Sequence, residues 1–363
     1  MITAKEGTLR ILMTEKQAHV RDVCRQDPHR DCHTRLTLQD NRRMSKTTLH
    51  LSKQLSRIRI MANYWHLIVR RCEIGVCVFI FALPVLAATD GPEWLKKRYA
   101  TLASKLNGTA FGAPVYIESD DRDGMMRGEV FGILPGAFAS FSATLRQLPA
   151  WCDLLTLHFS IKGCTYRAES DTGVLTVYSG GKRYEDPKEA RRHEFLYTVP
   201  AASPDYLHVV ITSADGPLDT YDYRVEVEAM PLGEQTFAYV RFTYRYRTLT
   251  RMMSSMYFMT AGRDKVGFSV VGADKAGNPL YIKGRGGAME RSVMRYYLGL
   301  QALLESRAQP EVQRFEWRVQ RWYALTDKYR RQLYELDEEE YLDSKRKERV
   351  GWAQLQAEIE GKK

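Results

Sequence analysis

The chain has 363 residues, 44% of them hydrophobic and 27% charged, with a formal net charge of +10. That size and balance fit a globular protein of one large domain or two small ones. The charge is local: residues 1–60 hold 13 Lys/Arg against 6 Asp/Glu, whereas residues 88–363 hold 39 against 37. A basic segment at one end does not make a basic domain, which removes the case for a nucleic-acid partner.

Residues 1–60 are rich in Arg, Thr and Gln and show no periodic apolar face. They are expected to lie upstream of the true start, at Met61 or Met44, or to be disordered. Cys24, His29, Cys32 and His33 cluster there without the paired spacing of a zinc site. Residues 61–87 read as a signal peptide: Arg70 and Arg71, an apolar run from Ile74 to Leu86, then Val85-Leu86-Ala87. The apolar run is shorter than a spanning helix needs unless Tyr64 to Val69 joins it as an anchor. The mature chain is therefore expected without a transmembrane span, periplasmic or secreted after cleavage near Ala87. Beyond that point only Cys152 and Cys164 remain. In an oxidising compartment they are a candidate disulfide; the alternative is two buried thiols. Closing so short a loop contributes about 3 kcal/mol in the chain-entropy model.

Residues 88–113 hold a helix, with Pro92 in its first turn and Leu95, Tyr99, Leu102 and Leu106 on one face. Met126 to Pro135 reads as a strand. Phe138, Phe141, Leu145 and Leu148 then have helical spacing, ended by Pro149. A ladder of strands follows between residues 173 and 247. In it Tyr223, Val225, Val227 and Ala229 oppose Arg224, Glu226 and Glu228. Likewise Ala238, Val240, Phe242, Tyr244 and Tyr246 oppose Arg241, Arg245 and Arg247. One buried and one wet face is the mark of an antiparallel sheet covered on one side. Residues 252–259 suggest a short helix, and 265–272 and 278–286 two further strands. The stretch RGGAMERSVMRYYLGLQALLES (285–306) follows. Its glycines do not match a phosphate loop, because position 289 is Met and no Gly-Lys-Ser/Thr follows. Met289, Val293, Tyr296, Tyr297, Leu300 and Leu304 instead form a broad apolar face of a long helix. Residues 311–360 form a charged, aromatic helical extension whose tryptophans and tyrosines pack back on the domain while its charges stay solvated.

The order strand, helical pair, long antiparallel meander and terminal helix, with the Trp151-Cys152-Asp153 turn, resembles the START-like helix-grip superfamily of lipid-transfer and polyketide-cyclase-type domains. The strings PAWCDLLTLHFSIKGC, GPLDTYDYRVE, GRDKVGFSV and GRGGAMERSVMRYYL look like a family of exported proteobacterial proteins of unknown function. The resemblance implies an α+β helix-grip fold over residues 114–306. A curved antiparallel sheet of about seven or more strands would be closed by the long helix. It also implies a hydrophobic ligand or lipid between sheet and helix. No cofactor and no metal are expected.

On that reading Tyr296, Tyr297, Leu300, Leu304, Phe242, Tyr244 and Tyr246 are the pocket candidates. Arg291, Arg295, Lys283 and Arg285 are the candidates for an anionic head group near a helix N-terminus. The expected function is a periplasmic binding or carrier protein rather than an enzyme. One alternative is a cyclase- or hydrolase-type enzyme in the same pocket. The other is an envelope protein-interaction module using the C-terminal helices. No catalytic residue is assigned: His158, His193 and His208 are the histidines after residue 87, and no nucleophile elbow or H-E-x-x-H occurs. Asp153 and His158 are close in sequence, but a capping Asp and a satisfied His are the simpler reading.

Overall fold

The computed structural model describes residues 91–361 apart from 108–111, 170–171, 217–219 and 261. The expected signal peptide, the upstream segment and its Cys/His cluster lie outside the described residues. In chain order the elements are α1 (Pro92–Asn107), β1 (Val115–Arg122), β2 (Met125–Pro135), α2 (Phe138–Leu145), α3 (Leu148–Leu155), β3 (Ile161–Ala168) and β4 (Gly173–Ser179). Then come β5 (Arg191–Ser203), β6 (Tyr206–Asp215), β7 (Thr220–Leu232), β8 (Gln235–Tyr246), α4 (Thr248–Met259), β9 (Val270–Ala273), β10 (Pro279–Tyr281) and α5 (Gly284–Ser306). A tail follows of α6 (Arg314–Asp327), α7 (Arg330–Leu333) and α8 (Glu338–Glu360).

Eight strands form one antiparallel sheet in the order β1-β2-β8-β7-β6-β5-β4-β3. Strands β3 to β8 are a meander, and β8 returns beside β2. The pair α2 and α3 carries the chain from β2 to the far edge at β3. The β1–β2 hairpin turns on Asp123 and Gly124, both at positive φ (53° and 71°), the two-residue turn whose twist matches the strands. Strand β1 escapes a reading by alternation, because Glu118, Ser119, Asp120 and Asp121 crowd its second half. Pro149 does not end a helix. It sits in the first turn of α3, where its missing N–H costs nothing.

The face expected to be wet is partly dry. Helix α1 lays Leu95, Leu102 and Leu106 on Phe131, Phe237 and Tyr239, and together they form a second core on the convex side. Glu226 and Glu228 on this side are buried as well. Glu228 accepts from the Tyr206 hydroxyl, and Glu226 is held by Arg224 and Arg241. Burial works against the Glu226 charge, but the His208 ring nitrogen 3.7 Å away, the hydrogen bonds from Arg224 and the nearby Arg241 outweigh it and hold the carboxyl at about 2.

On the concave side α5 crosses the sheet, packed closely against β2. Gly128 and Gly132 make this contact. A Cβ at Gly128 would lie 2.4 Å from the Met289 side chain, and one at Gly132 would lie 2.4 Å from the Tyr297 hydroxyl. The Tyr297 hydroxyl donates to the Ile133 carbonyl. Glu290, fully buried, accepts from the backbone N–H groups of Phe268 and Ser269 at 2.6 and 2.8 Å and from Ser119. One carboxylate thus pins the helix to the segment that precedes it.

The tail is a further layer on the outside of α5. Phe315, Val319, Trp322, Leu325, Leu333 and Tyr341 belong to the same apolar core as α5. Not all of its charges are solvated: Lys345 and Glu348 are buried. Lys162 and Lys345 both donate to Glu348, at 3.0 and 2.7 Å. Helix α8 also covers the β3 edge, where Gln356 accepts from the Tyr166 N–H and donates to its carbonyl. This closes an edge that would otherwise invite pairing.

Gly132→Val is expected to lower unfolding stability by about 1–3 kcal/mol or more through overpacking against Tyr297. Gly181→Ala, which meets nothing within 4 Å, should change it by less than about 0.5 kcal/mol. Urea midpoints at constant m-value check both.

Candidate ligand cavity

A cavity of about 610 Å³ lies between sheet and helices, within the roughly 300–1,000 Å³ of small-molecule sites. Its floor is the concave face of β4 to β8: Val177, Phe195, Ile211, Val225, Val227, Val240 and Phe242. Its roof is Ser292, Tyr296 and Leu300 of α5, and Trp151, Leu154 and Leu155 of α3. The alternation along β7 and β8 explains the floor, since every second side chain faces inward. Helix α5 keeps tight contact with β2, but the meander curves away beneath its other flank, and the space there is left open.

Polar groups gather at one end. Ser160, Ser179, Gly180, Gly181, Glu185, Arg191 and His193 line the cavity there, at the C-terminal end of β4 and the start of β5. Arg191 and Gly181 are exposed, so this end is the mouth. His193 Nε2 lies 3.1 Å from Ser179 Oγ, and Glu185 accepts from the Gly181 N–H. The Arg191 guanidinium has no ion-pair partner among the described residues. The sequence shows these residues only as a Ser-Gly-Gly turn and an Arg-Arg-His strand start. Their convergence depends on a strand pairing that local pattern does not reveal.

Of the sequence candidates, the structure brings Tyr296, Leu300 and Phe242 to the cavity wall, with Tyr296 and Phe242 edge-on at 6.3 Å. The other four lie elsewhere. Tyr297 fills the α5–β2 contact, and Leu304 packs against the core nearer the helix end. Tyr244 stacks on Tyr223, and Tyr246 donates to Asp121. Helical spacing gives a face but not where along it the sheet departs.

None of the four anion candidates lines the cavity. Arg291 donates to the Val266 carbonyl, and Arg295 to the Leu333 carbonyl and Glu335. Arg285 pairs with Asp121 and Ser255, and Lys283 is exposed before the first turn. Arg291 and Arg295 sit on the flank of α5 that the tail covers. Glu335 receives Lys182, Lys265 and Arg295 together. Burial opposes its charge, yet hydrogen bonds from Lys182 and Lys265 keep its carboxyl below the usual range.

Cys152 on α3 and Cys164 on β3 are bridged, with Cα atoms 5.0 Å apart. The bridge fixes the end of α3 to the edge strand beside the cavity. Asp153 and His158 are not brought together: Asp153 pairs with Arg318, and His158 Nδ1 lies 2.8 Å from Ser160 Oγ. The His158 ring stacks on Tyr296 with centroids 5.7 Å apart. Burial, then the charges of Arg295, Lys345 and Lys162, push its pKa well below the usual value. Burial raises the Tyr296 hydroxyl to about 12, and that hydroxyl has no hydrogen-bond partner among the described residues. Deep in the cavity the two side chains are a neutral imidazole and a neutral phenol.

Among the described residues no group of three His, Cys, Asp or Glu could hold a metal ion, and no helix is long and apolar enough to cross a membrane. No protein-family model and no curated protein matches the chain. Solved structures similar to it include a protein from Thermus thermophilus, at 12% identity over 51% of this chain and 99% of its own, TM-score 0.33. Another is the Zhui aromatase/cyclase from a Streptomyces species, at 11% identity over 52% and 96%, TM-score 0.32. The di-domain aromatase/cyclase StfQ of the steffimycin pathway matches at 13% over 52% and 53%, TM-score 0.33. The fold is α+β and helix-grip on the chain's own geometry: an antiparallel sheet gripped by a long helix over an apolar cavity.

Native stability should fall as pH drops through 6.5, because the unfolded His158 takes up a proton there and the buried ring does not. The loss approaches about 1.4 kcal/mol per pH unit for one such proton. His193, also held low by burial, acts in the same direction. The check is therefore the difference between wild type and His158→Gln in urea unfolding at pH 7 and pH 5, where the variant should show the shallower dependence.

Proposed function

We propose that the protein is an exported, periplasmic binding or carrier protein for a lipid or other hydrophobic ligand held between the sheet and α5. The observation that carries the reading is the cavity of about 610 Å³, apolar in its depth and polar at its mouth. An apolar body fits against Phe242, Tyr296 and Leu300, with hydrogen bonding available from the Tyr296 hydroxyl. A polar or anionic end fits at the mouth beside Arg191, His193 and Ser179. Export is supported by the pattern of residues 61–87 and by the Cys152–Cys164 bridge, since such bonds persist in oxidising compartments.

A second reading, a cyclase- or hydrolase-type enzyme in the same cavity, is favoured by the His158–Tyr296 stack. A buried neutral imidazole can accept a proton, and a phenol beside it can donate one. Ligand recovered chemically unchanged after incubation with the protein sinks this reading. Conversion that is lost in His158→Gln establishes it.

The test of the carrier reading is native mass spectrometry of protein purified from a proteobacterial periplasm, with organic extraction of whatever travels with it. A defined apolar molecule should be found. Leu300→Trp, which fills the cavity, should weaken its rebinding at least about tenfold, or about 1.4 kcal/mol, with an unchanged circular dichroism spectrum. A clean apo mass that stays unaltered after incubation with envelope lipids would overturn the proposal.

A further inference from the structure

Helix α4 is inside-out. Met252, Met256 and Met259 repeat at i, i+4 and i+7 and face solvent, 56%, 58% and 70% exposed. Met253 and Tyr257 widen the stripe. Ser254 and Ser255 face the protein instead, where the Ser255 hydroxyl meets Arg285 of α5. Ordinary amphipathicity would turn the methionines inward. The β9–β10 hairpin repeats the pattern, with Val270, Val271 and Leu280 exposed. Its base is tied by Gly267 and Ile282 beside Gly287, so both apolar surfaces attach to the N-terminal end of α5. A monomer rarely exposes an apolar helix stripe of this kind without a use for it.

Charge selects the partner. Residues 247–285 hold seven Lys/Arg and two Asp/Glu, while the rest of residues 88–363 holds 32 against 35. Within residues 247–285, Arg263 pairs with Asp264, Arg285 with Asp121 and Lys265 with Glu335, Asp274 caps the hairpin turn, and Arg251, Lys275 and Lys283 stand exposed. An apolar stripe flanked by basic side chains is the pattern of an element lying in the headgroup region of an anionic bilayer. Methionine, unbranched and polarisable, adapts to a surface without fixed shape. Position agrees: Lys182, beside the Gly180-Gly181 stretch of the cavity mouth, shares Glu335 with Lys265, six residues beyond α4. The surface therefore stands next to the way into the cavity.

We propose that α4 and the β9–β10 hairpin form a docking surface for an anionic lipid bilayer. This goes beyond ligand binding and does not depend on what the cavity holds. The full chain, expressed in a proteobacterial host and purified as the species that accumulates, is floated with vesicles. These are phosphatidylethanolamine/phosphatidylglycerol (3:1) or phosphatidylcholine alone. Binding should be at least tenfold tighter to the anionic vesicles and weaken between 50 and 300 mM salt. The double variant Met252→Glu, Met256→Glu should lose at least tenfold in the same background. Met256→Trp should show a blue shift in tryptophan emission with anionic vesicles only. Leu300→Trp, which fills the cavity, should dock as the wild type does, so failure of the cavity reading and failure of this one are separable. Equal binding by the double variant, no binding by the wild type, or a methionine-dependent dimer in light scattering without vesicle binding would each overturn the proposal.

Discussion

The close approach of α5 to β2 is the contact on which the rest of the architecture depends. Gly128 and Gly132 bring the helix backbone within reach of the strand, and any larger residue would displace Met289 or Tyr297. Such a contact cannot extend across a twisted eight-stranded sheet. Strands rotate against one another by roughly 20–25° each, so a straight helix seated on β2 must lift away from β7, β6 and β5. The space that opens is bounded by whichever side chains face inward there, and in this chain they are Val, Ile, Phe and Tyr. The cavity is thus a geometric consequence of where the glycines lie. At its wall Phe242 and Tyr296 meet edge to face, with centroids 6.3 Å apart.

Much of this was legible in the sequence. Alternation in β7 and β8 gave the floor, and the period of residues 289–304 gave the roof. What escaped were features set by a second partner. β1 is half polar because its far end meets Arg122, Arg127 and Arg285 rather than a core. Glu226 and Glu228 alternate as solvent residues do, yet Glu228 lies buried beside the start of α1 and Glu226 among Arg224, Arg241 and His208. The arginines of α5 have the chemistry of an anion site, but a wheel projection does not say which flank another helix will cover. The mouth residues were hardest, because Ser179, Arg191 and Ser160 share a site only once β3, β4 and β5 are paired. Their signal was a glycine pair beside basic residues, which many turns carry.

The tail explains why those arginines are structural. Its helices bury the outer flank of α5, and that flank carries charge. Removing a guanidinium from water is costly unless carbonyls and carboxylates replace the lost hydration. Arg295 obtains this from the Leu333 carbonyl and from Glu335, and it also lies over the Phe159 ring at 5.0 Å. The same requirement shapes the other end of the tail. There Lys162 and Lys345 share Glu348 and satisfy their remaining protons on the carbonyls of Phe159, Arg183, His158 and Ile161. Burial still pulls the Lys345 pKa down to about 8. Buried pairs of this kind add little net stability, but breaking one leaves a charge with no solvent. They fix which way the tail lies more than how strongly it holds.

That register matters for the cavity because both clusters end on its frame. Lys345 and Lys162 bind the carbonyls of residues 158, 159 and 161, the stretch that carries His158 and Ser160 into the wall. Glu335 reaches through Lys182 to the loop beside Gly180 and Gly181, and through Arg295 to the turn of α5 that bears Tyr296. Two ionic anchors from one tail therefore hold three parts of the lining: the end of α3, the mouth loop and the roof helix. The disulfide fixes α3 to β3 independently, so this corner is constrained covalently and electrostatically at once. By contrast, α4 and the β9–β10 hairpin touch the frame at few points and turn their apolar side chains outward. The ionic anchors and the disulfide gather around the cavity wall, and the exposed apolar surface lies outside it.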